Sequence, residues 1–149
     1  MKIGFTCGAF DLVHFGHIRM LAECRSKCDF LIVAVQGDPS IDRPNTKVSC
    51  VQSLEQRMEF MAAIRYVDNV CSYDTEADLV KLLARLNEEY DDLVRFVGAD
   101  WQGKPFTGHE LPIEVVFNSR SHTFSSTAFR RALVKHEMNR CSDDGVNNV

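Results

Sequence analysis

Short apolar runs alternate along this chain with segments of helical period, and that alternation restricts the fold more than any other feature. Ile3 to Cys7 and Phe30 to Gln36 read as buried strands, with His17 to Lys27 between them as an amphipathic helix. Gly37 to Gln52 is polar and carries two prolines, so it reads as a loop. Ser53 followed by Gln56 makes a capping-box pattern that opens a helix to about Arg65, and Val67 to Ser72 follows as a short strand. Between Thr75 and Tyr90, Leu79, Leu82, Leu83 and Leu86 form a helical stripe. Leu93 to Val97 is a strand ending at Gly98, Trp101 to Pro112 an irregular connection, and Glu114 to Phe117 a last strand. Ser125 caps a final helix expected to end near His136. This order predicts an α/β domain over residues 1–138, followed by a polar, flexible tail over 139–149. The domain is a doubly wound, five-stranded parallel sheet with helices on both faces.

Composition narrows the classes of function. With 149 residues, 45% of them apolar and 26% charged, the chain suits one soluble globular domain. Its longest apolar run, Phe30 to Val35, is too short to cross a bilayer, and Met1-Lys2 leads straight into a strand with no signal peptide expected. The net charge of −4, with lysines and arginines scattered, disfavours nucleic acid as a partner. Six cysteines, most of them inside strand- or helix-like segments, read as reduced thiols of a cytoplasmic protein. Cys24 and Cys28 share a helix face and are expected to pack rather than ligate.

Doubly wound sheets bind ligands at the carboxyl ends of their strands, and three polar segments follow strand ends here. Behind the first strand stands Gly8-Ala9-Phe10-Asp11-Leu12-Val13-His14-Phe15-Gly16-His17. His14 and His17 are spaced to share one side of a helix's first turn, and Gly16 lets a ligand approach the backbone. A helix N-terminus adds unpaired N–H groups and a positive dipole end, so the segment suits phosphate. The competing readings are a structural histidine or half of a metal site. No spacing elsewhere supplies further ligands, so no metal is expected on protein side chains. Cys7 lies beside this segment with nothing near it to activate a thiolate.

Gly98-Ala99-Asp100-Trp101 follows the fourth strand. Trp101 offers a stacking face and Asp100 an acceptor for an exocyclic amine, although a sole Trp also serves as a cover over the core. Behind the fifth strand, Ser125-Ser126-Thr127 and Arg130 open a helix, as a phosphate cradle or as a plain N-cap. Arg120 upstream favours the cradle, because guanidinium matches phosphate with two parallel hydrogen bonds.

Gly8 to Asp11 with His14-Phe15-Gly16-His17 resembles the G-x-F-D-x-x-H-x-G-H signature of the nucleotidyltransferase superfamily, and the chain is most similar to glycerol-3-phosphate cytidylyltransferase-like proteins. Asp100-Trp101 matches their G-D-D-W, Arg65-Tyr66-Val67-Asp68 their R-Y-V-D, and Arg120 with Ser125-Ser126-Thr127 matches in part their R-T-E-G-I-S-T-T, Ser121 to Phe124 standing where they have T-E-G-I. The resemblance implies a Rossmann-like fold and transfer of CMP from CTP to a small phosphorylated acceptor, with release of pyrophosphate. It implies catalytic roles for His14, His17, Lys47 and Arg120, with Arg43 able to stand in for Lys47. Cys7, Gly8, Ala9, Phe10, Gly16, Asp100, Trp101, Ser125, Ser126 and Thr127 would bind the nucleotide, and Asp11, Asp38, Arg57 and Arg65 the acceptor. Mg²⁺ would arrive with the triphosphate, and a homodimer is implied with the Arg65 to Asp68 region near its contact. Ala9, Ala99 and Thr123 depart from the pattern. Phe124 to Arg130 also resembles the I-S-S-T-x-x-R of adenylyltransferases, so ATP is the alternative nucleotide, and a nucleotide-binding protein that has lost catalysis is a further one.

Overall fold

The computed structural model describes residues 1–119 and 124–146. Five parallel strands form one sheet: β1 (Ile3–Gly8), β2 (Phe30–Gln36), β3 (Asn69–Tyr73), β4 (Leu93–Gly98) and β5 (Glu114–Asn118), in the order β3-β2-β1-β4-β5. The chain builds outward from β1 through β2 to β3, then crosses back to lay β4 on the other edge of β1. The order therefore reverses between β1 and β4. A crevice opens at that point above the carboxyl ends of the strands.

The helices are α1 (Phe15–Arg25), α2 (Pro39–Asp42), α3 (Leu54–Ala63), α4 (Glu76–Glu89) and α5 (Ser126–Val146), with a 3-10 turn at Ala99–Trp101. Period-two alternation in β2 divides the core. Leu31, Val33 and Val35 pack with Leu21 and Cys24 of α1 and Met61 of α3, whereas Ile32 and Ala34 pack with Leu79, Leu83 and Leu86 of α4. β2 is thus covered on both faces, as a central strand of a parallel sheet must be. At Gly4 a Cβ would lie 2.5 Å from Cys28 Sγ and 2.7 Å from Phe96, so only glycine lets Cys28, in the turn after α1, sit this close to β1.

Most boundaries follow the sequence pattern, and the departures have identifiable causes. Ser53 and Gln56 do form a reciprocal capping box on α3. α1 begins two residues earlier than expected, because the His14 side chain serves as its cap. Cys28 consequently lies past the helix end, although it is buried as expected. Within the expected Gly37 to Gln52 loop, Asp38 caps the single turn of α2 with Pro39 at its first position. α5 does not stop near His136. It runs through the expected tail to Val146, supported by the Glu137–Arg140 pair at 2.5 Å and a bond from Ser142 Oγ to the Met138 carbonyl, with no proline to interrupt it. All six cysteines are free thiols, and burial pushes Cys24 up to about 12. Among the described residues, no helix is long and apolar enough to cross a membrane.

Candidate active site

The loop from β1 to α1 is the centre of the crevice, and its backbone is unusual. Phe10 and Leu12 both adopt left-handed conformations, at φ of 50° and 53°, which cost non-glycine residues about 1–3 kcal/mol each. Polar contacts around the intervening Asp11 hold them there. Its buried carboxylate accepts hydrogen bonds from the Val51 and Gln52 backbone at 2.9 and 3.0 Å and pairs with Arg130 of α5 at 2.8 Å. Leu12 N–H donates to Gln52 Oε1 at 3.0 Å, and the Phe10 ring is buried in the core. Burial works to raise the Asp11 carboxyl. The two backbone donors and the Arg130 guanidinium outweigh it and hold the group below the usual carboxylate range.

This loop delivers the chain to α1 through a capping box made of two histidines. His14 Nδ1 accepts from Gly16 N–H at 3.0 Å, and His17 Nδ1 accepts from His14 N–H at 3.2 Å. An Nδ1 that accepts leaves Nε2 as the nitrogen that carries the proton in a neutral ring, so the cap assigns both imidazoles the same tautomer. The ring centroids lie 4.0 Å apart. His14 Nε2 is 3.4 Å from Ser126 Oγ, which brings the N-terminus of α5 against that of α1. Ser125 caps α5, its hydroxyl accepting from Ala128 N–H at 3.1 Å. Two helix N-termini thus open on one cavity of about 840 Å³, whose lining includes Phe10 beside His17 and Phe124 beside His14.

Most of the residues singled out from the sequence converge on this cavity. Cys7, Gly8, Ala9, Phe10 and Asp11 line it from β1 and its loop, and Gly16 with the two histidines from α1. Asp100 and the 40%-exposed Trp101 line it from the turn after β4, and Ser125, Ser126 and Thr127 from α5. Lys47 stands exposed at the mouth, whereas Arg43 pairs with Glu76 at 2.8 Å. Arg120 lies outside the described residues.

Three expected acceptor ligands do not reach the cavity. Arg57 is 2% exposed, and its guanidinium donates to four carbonyls: Gln52, Ala9, Gln36 and Gly37. It staples the loop to the end of β2 and the start of α3, with four of its five N–H groups committed to backbone. Asp38 turns its carboxylate onto the Ser40 backbone and hydroxyl. Arg65 is exposed in the turn that follows α3, its guanidinium over the Tyr66 ring at 5.9 Å. Asp11 lines the cavity, but both its oxygens are engaged as described, so it shapes the site rather than offering a free acceptor.

Sequence reasoning assigned no role to Arg95 or Tyr73, both of which line the cavity. Arg95 carried a visible signal: an arginine inside the otherwise apolar run of β4. Arg130, read from sequence with Ser125 to Thr127 at the opening of the last helix, instead closes on Asp11, 119 residues away, a pairing that no local pattern announces.

The model of the cytidylyltransferase-like family matches residues 5–132, which contain the whole cavity lining. The chain belongs to this family. It is accordingly a nucleotidyltransferase with a Rossmann-like fold. Bifunctional protein HldE of Gluconacetobacter diazotrophicus is 40% identical over 113 residues, 74% of this chain and 22% of that protein. HldE of Rhodopseudomonas palustris is 36% identical over 110 residues, 74% of this chain and 21% of that protein. The chain spans about a fifth of the length of these relatives. In fold it resembles a lipopolysaccharide core biosynthesis protein from Thermoplasma volcanium, with TM-score 0.65, 24% identity, and 82% and 99% of the two chains covered. A putative nicotinate-nucleotide adenylyltransferase from Vibrio parahaemolyticus gives TM-score 0.56 and 21% identity over 91% and 89%.

Proposed function

We propose that this cytidylyltransferase-like protein transfers CMP from CTP to a small phosphorylated acceptor, glycerol 3-phosphate or a similar compound, and releases pyrophosphate. The observation that carries this reading is the paired-imidazole cap, which sets two Nε2–H donors beside two helix N-termini. An acceptor phosphate oxygen attacks the α-phosphorus, a new P–O bond forms, and the bond to the bridging oxygen breaks in line. The attacking oxygen is already anionic. Catalysis then consists of positioning and charge stabilisation, with no protein nucleophile and no general base.

In this mechanism His14 and His17 donate to the α-phosphate oxygens as charge builds, while Ser126, Lys47 and Arg120 hold the β- and γ-phosphates. Trp101 stacks on the base, and Asp100 accepts from its exocyclic amine. Among the described residues, no group of three or more His, Cys, Asp or Glu is gathered to hold a metal. We take Mg²⁺ to arrive with the triphosphate, and no step runs through it. A cytoplasmic homodimer is part of the same proposal.

The second reading, adenylyl transfer from ATP, is favoured by Phe124 to Arg130, whose pattern resembles that of adenylyltransferases. Pyrophosphate release from CTP and ATP against a panel of phosphorylated acceptors separates the two. We expect release with CTP, and a fall in turnover of about 10²–10³ in His14→Ala and in His17→Ala with much smaller changes in KM. Release with ATP alone overturns the choice of base, and near-normal turnover of both variants overturns the mechanism.

A further inference from the structure

The cavity has a second lobe, on the α4 face of the sheet, lined by Cys7, Gln36, Tyr73, Arg95, Phe106 and Thr107. Arg95 is its anomaly. Strand register sets it between Phe5 of β1, a core residue, and the half-buried Val115 of β5, and it is 5% exposed. Its guanidinium lies over the Phe106 ring at 5.1 Å, Nη1 donates to the Thr107 carbonyl, and Nε is buried with no partner. The loop above is shaped to this group: Gly108 has φ of 78°, and a Cβ there would meet Nη1 at 3.0 Å.

What the guanidinium lacks is a counter-charge. No carboxylate pairs with it among the described residues, and Glu76, the acidic residue of this lobe, is taken by Arg43. Cys7 and Tyr73 adjoin it, yet burial raises both groups, so neither is anionic at neutral pH. An architectural arginine is either neutralised by a carboxylate or largely engaged, as Arg57 is through four of its five N–H groups. Arg95 is neither, and it faces a cavity.

We propose that Arg95 sets acceptor specificity by binding a second anionic group, a carboxylate or a phosphate, on the acceptor's end away from the attacking phosphate. The inference rests on the acceptor-transfer reading above. Three residues of strand, about 10 Å, separate the level of Phe5 and Arg95 from Gly8, where the phosphate region begins. The arginine side chain spans part of that distance, so both anionic groups belong to one small molecule.

Matched acceptors test this in the pyrophosphate-release assay with the intact chain and its preferred triphosphate. The pairs are 3-phosphoglycerate against glycerol 3-phosphate, phosphoserine against phosphoethanolamine, and fructose 1,6-bisphosphate against fructose 6-phosphate. In at least one pair the doubly anionic member should show kcat/KM about 10- to 100-fold higher, the scale of one charge-assisted, bidentate contact. The first two pairs report a carboxylate and the third a phosphate. The ratio should fall toward unity in Arg95→Met through KM, and persist in part in Arg95→Lys. Equal activity within every pair overturns the proposal, as does a preference that survives Arg95→Met. Silence of all acceptors with both triphosphates strikes instead at the transfer reading. Calorimetric binding of the same compounds then decides Arg95: tighter binding of doubly anionic members, lost in Arg95→Met, supports it, and equal binding overturns it.

Discussion

Arg57→Ala separates an architectural arginine from a ligand-binding one. Nε reaches the Gln52 carbonyl at 3.1 Å, Nη1 the Ala9 and Gln36 carbonyls at 2.8 and 2.5 Å, and Nη2 that of Gly37. One side chain therefore joins the β1 loop, the end of β2 and the start of α3. Truncation strips a donor from four carbonyls, at about 1–3 kcal/mol for each buried group left unsatisfied. Water entering the vacated space and the carbonyls' second lone pairs recover much of that. The net loss should be about 3–5 kcal/mol, the range for breaking a buried charged network. For a chain of this length each kcal/mol lowers Tm by about 2–4 °C, so a fall on the order of 10 °C is expected. Arg57→Lys should recover part of it, since an ammonium is a compact point charge that cannot span four acceptors. Thermal melts followed by circular dichroism at neutral pH, without ligand, give the numbers. A Tm within about 2 °C of wild type, combined with a raised acceptor KM at unchanged kcat, would refute the staple and return Arg57 to the acceptor site.

Two further outcomes follow from the loop it braces. In His14→Asn the amide oxygen occupies the place of Nδ1 and still caps α1, so Tm should stay within about 1 °C of wild type, whereas turnover should fall as far as in His14→Ala, by about 10²–10³. Recovery of turnover along with the cap would show that His14 acts only through folding. For Asp11 the folded carboxyl titrates below its usual value of 3.8, so its stabilisation is complete above that value and is lost as pH falls through the folded one. Melts from pH 7 to pH 2.5 should show wild type losing stability over that acid range, and Asp11→Asn, already less stable at pH 7, losing less. Parallel curves would exclude Asp11 as a source of acid lability.

The fold was legible because apolar periodicity is local. β2 was readable as a strand buried on both faces from Phe30 to Gln36 alone, and Ser53 with Gln56 announced the start of α3. The site was legible as far as it follows strand ends, which a parallel sheet gathers at one edge whatever its sequence. Roles were harder to read. Arg57 and Arg65 look alike in sequence, and only packing distinguishes them: one is buried against four carbonyls, three of them 20 to 48 residues distant, and the other faces solvent. The α1 start was misplaced because histidine is an uncommon cap. The polar composition after Asn139 suggests a flexible tail, but nothing in Asn139 to Asp144 breaks a helix, and α5 continues through it.

A ligand site at a strand end demands backbone in conformations that β- and α-periodicity do not supply. Here Phe10 and Leu12 adopt them with no glycine at either position. Such a turn persists only if buried polar groups over-determine it, and Asp11, Arg57 and Gln52 do so from below while His14 and His17 do so from the helix side. The motif's polar residues consequently divide by the side of the loop they occupy. Those beneath it spend their hydrogen-bonding capacity on backbone and set geometry. Those above it cap α1 through one atom, as each imidazole does through Nδ1, and line the cavity where the proposed chemistry would take place. The division also explains why Arg130 belongs with the site: by closing on Asp11 it fixes the first turn of α5, and with it Ser126, against His14.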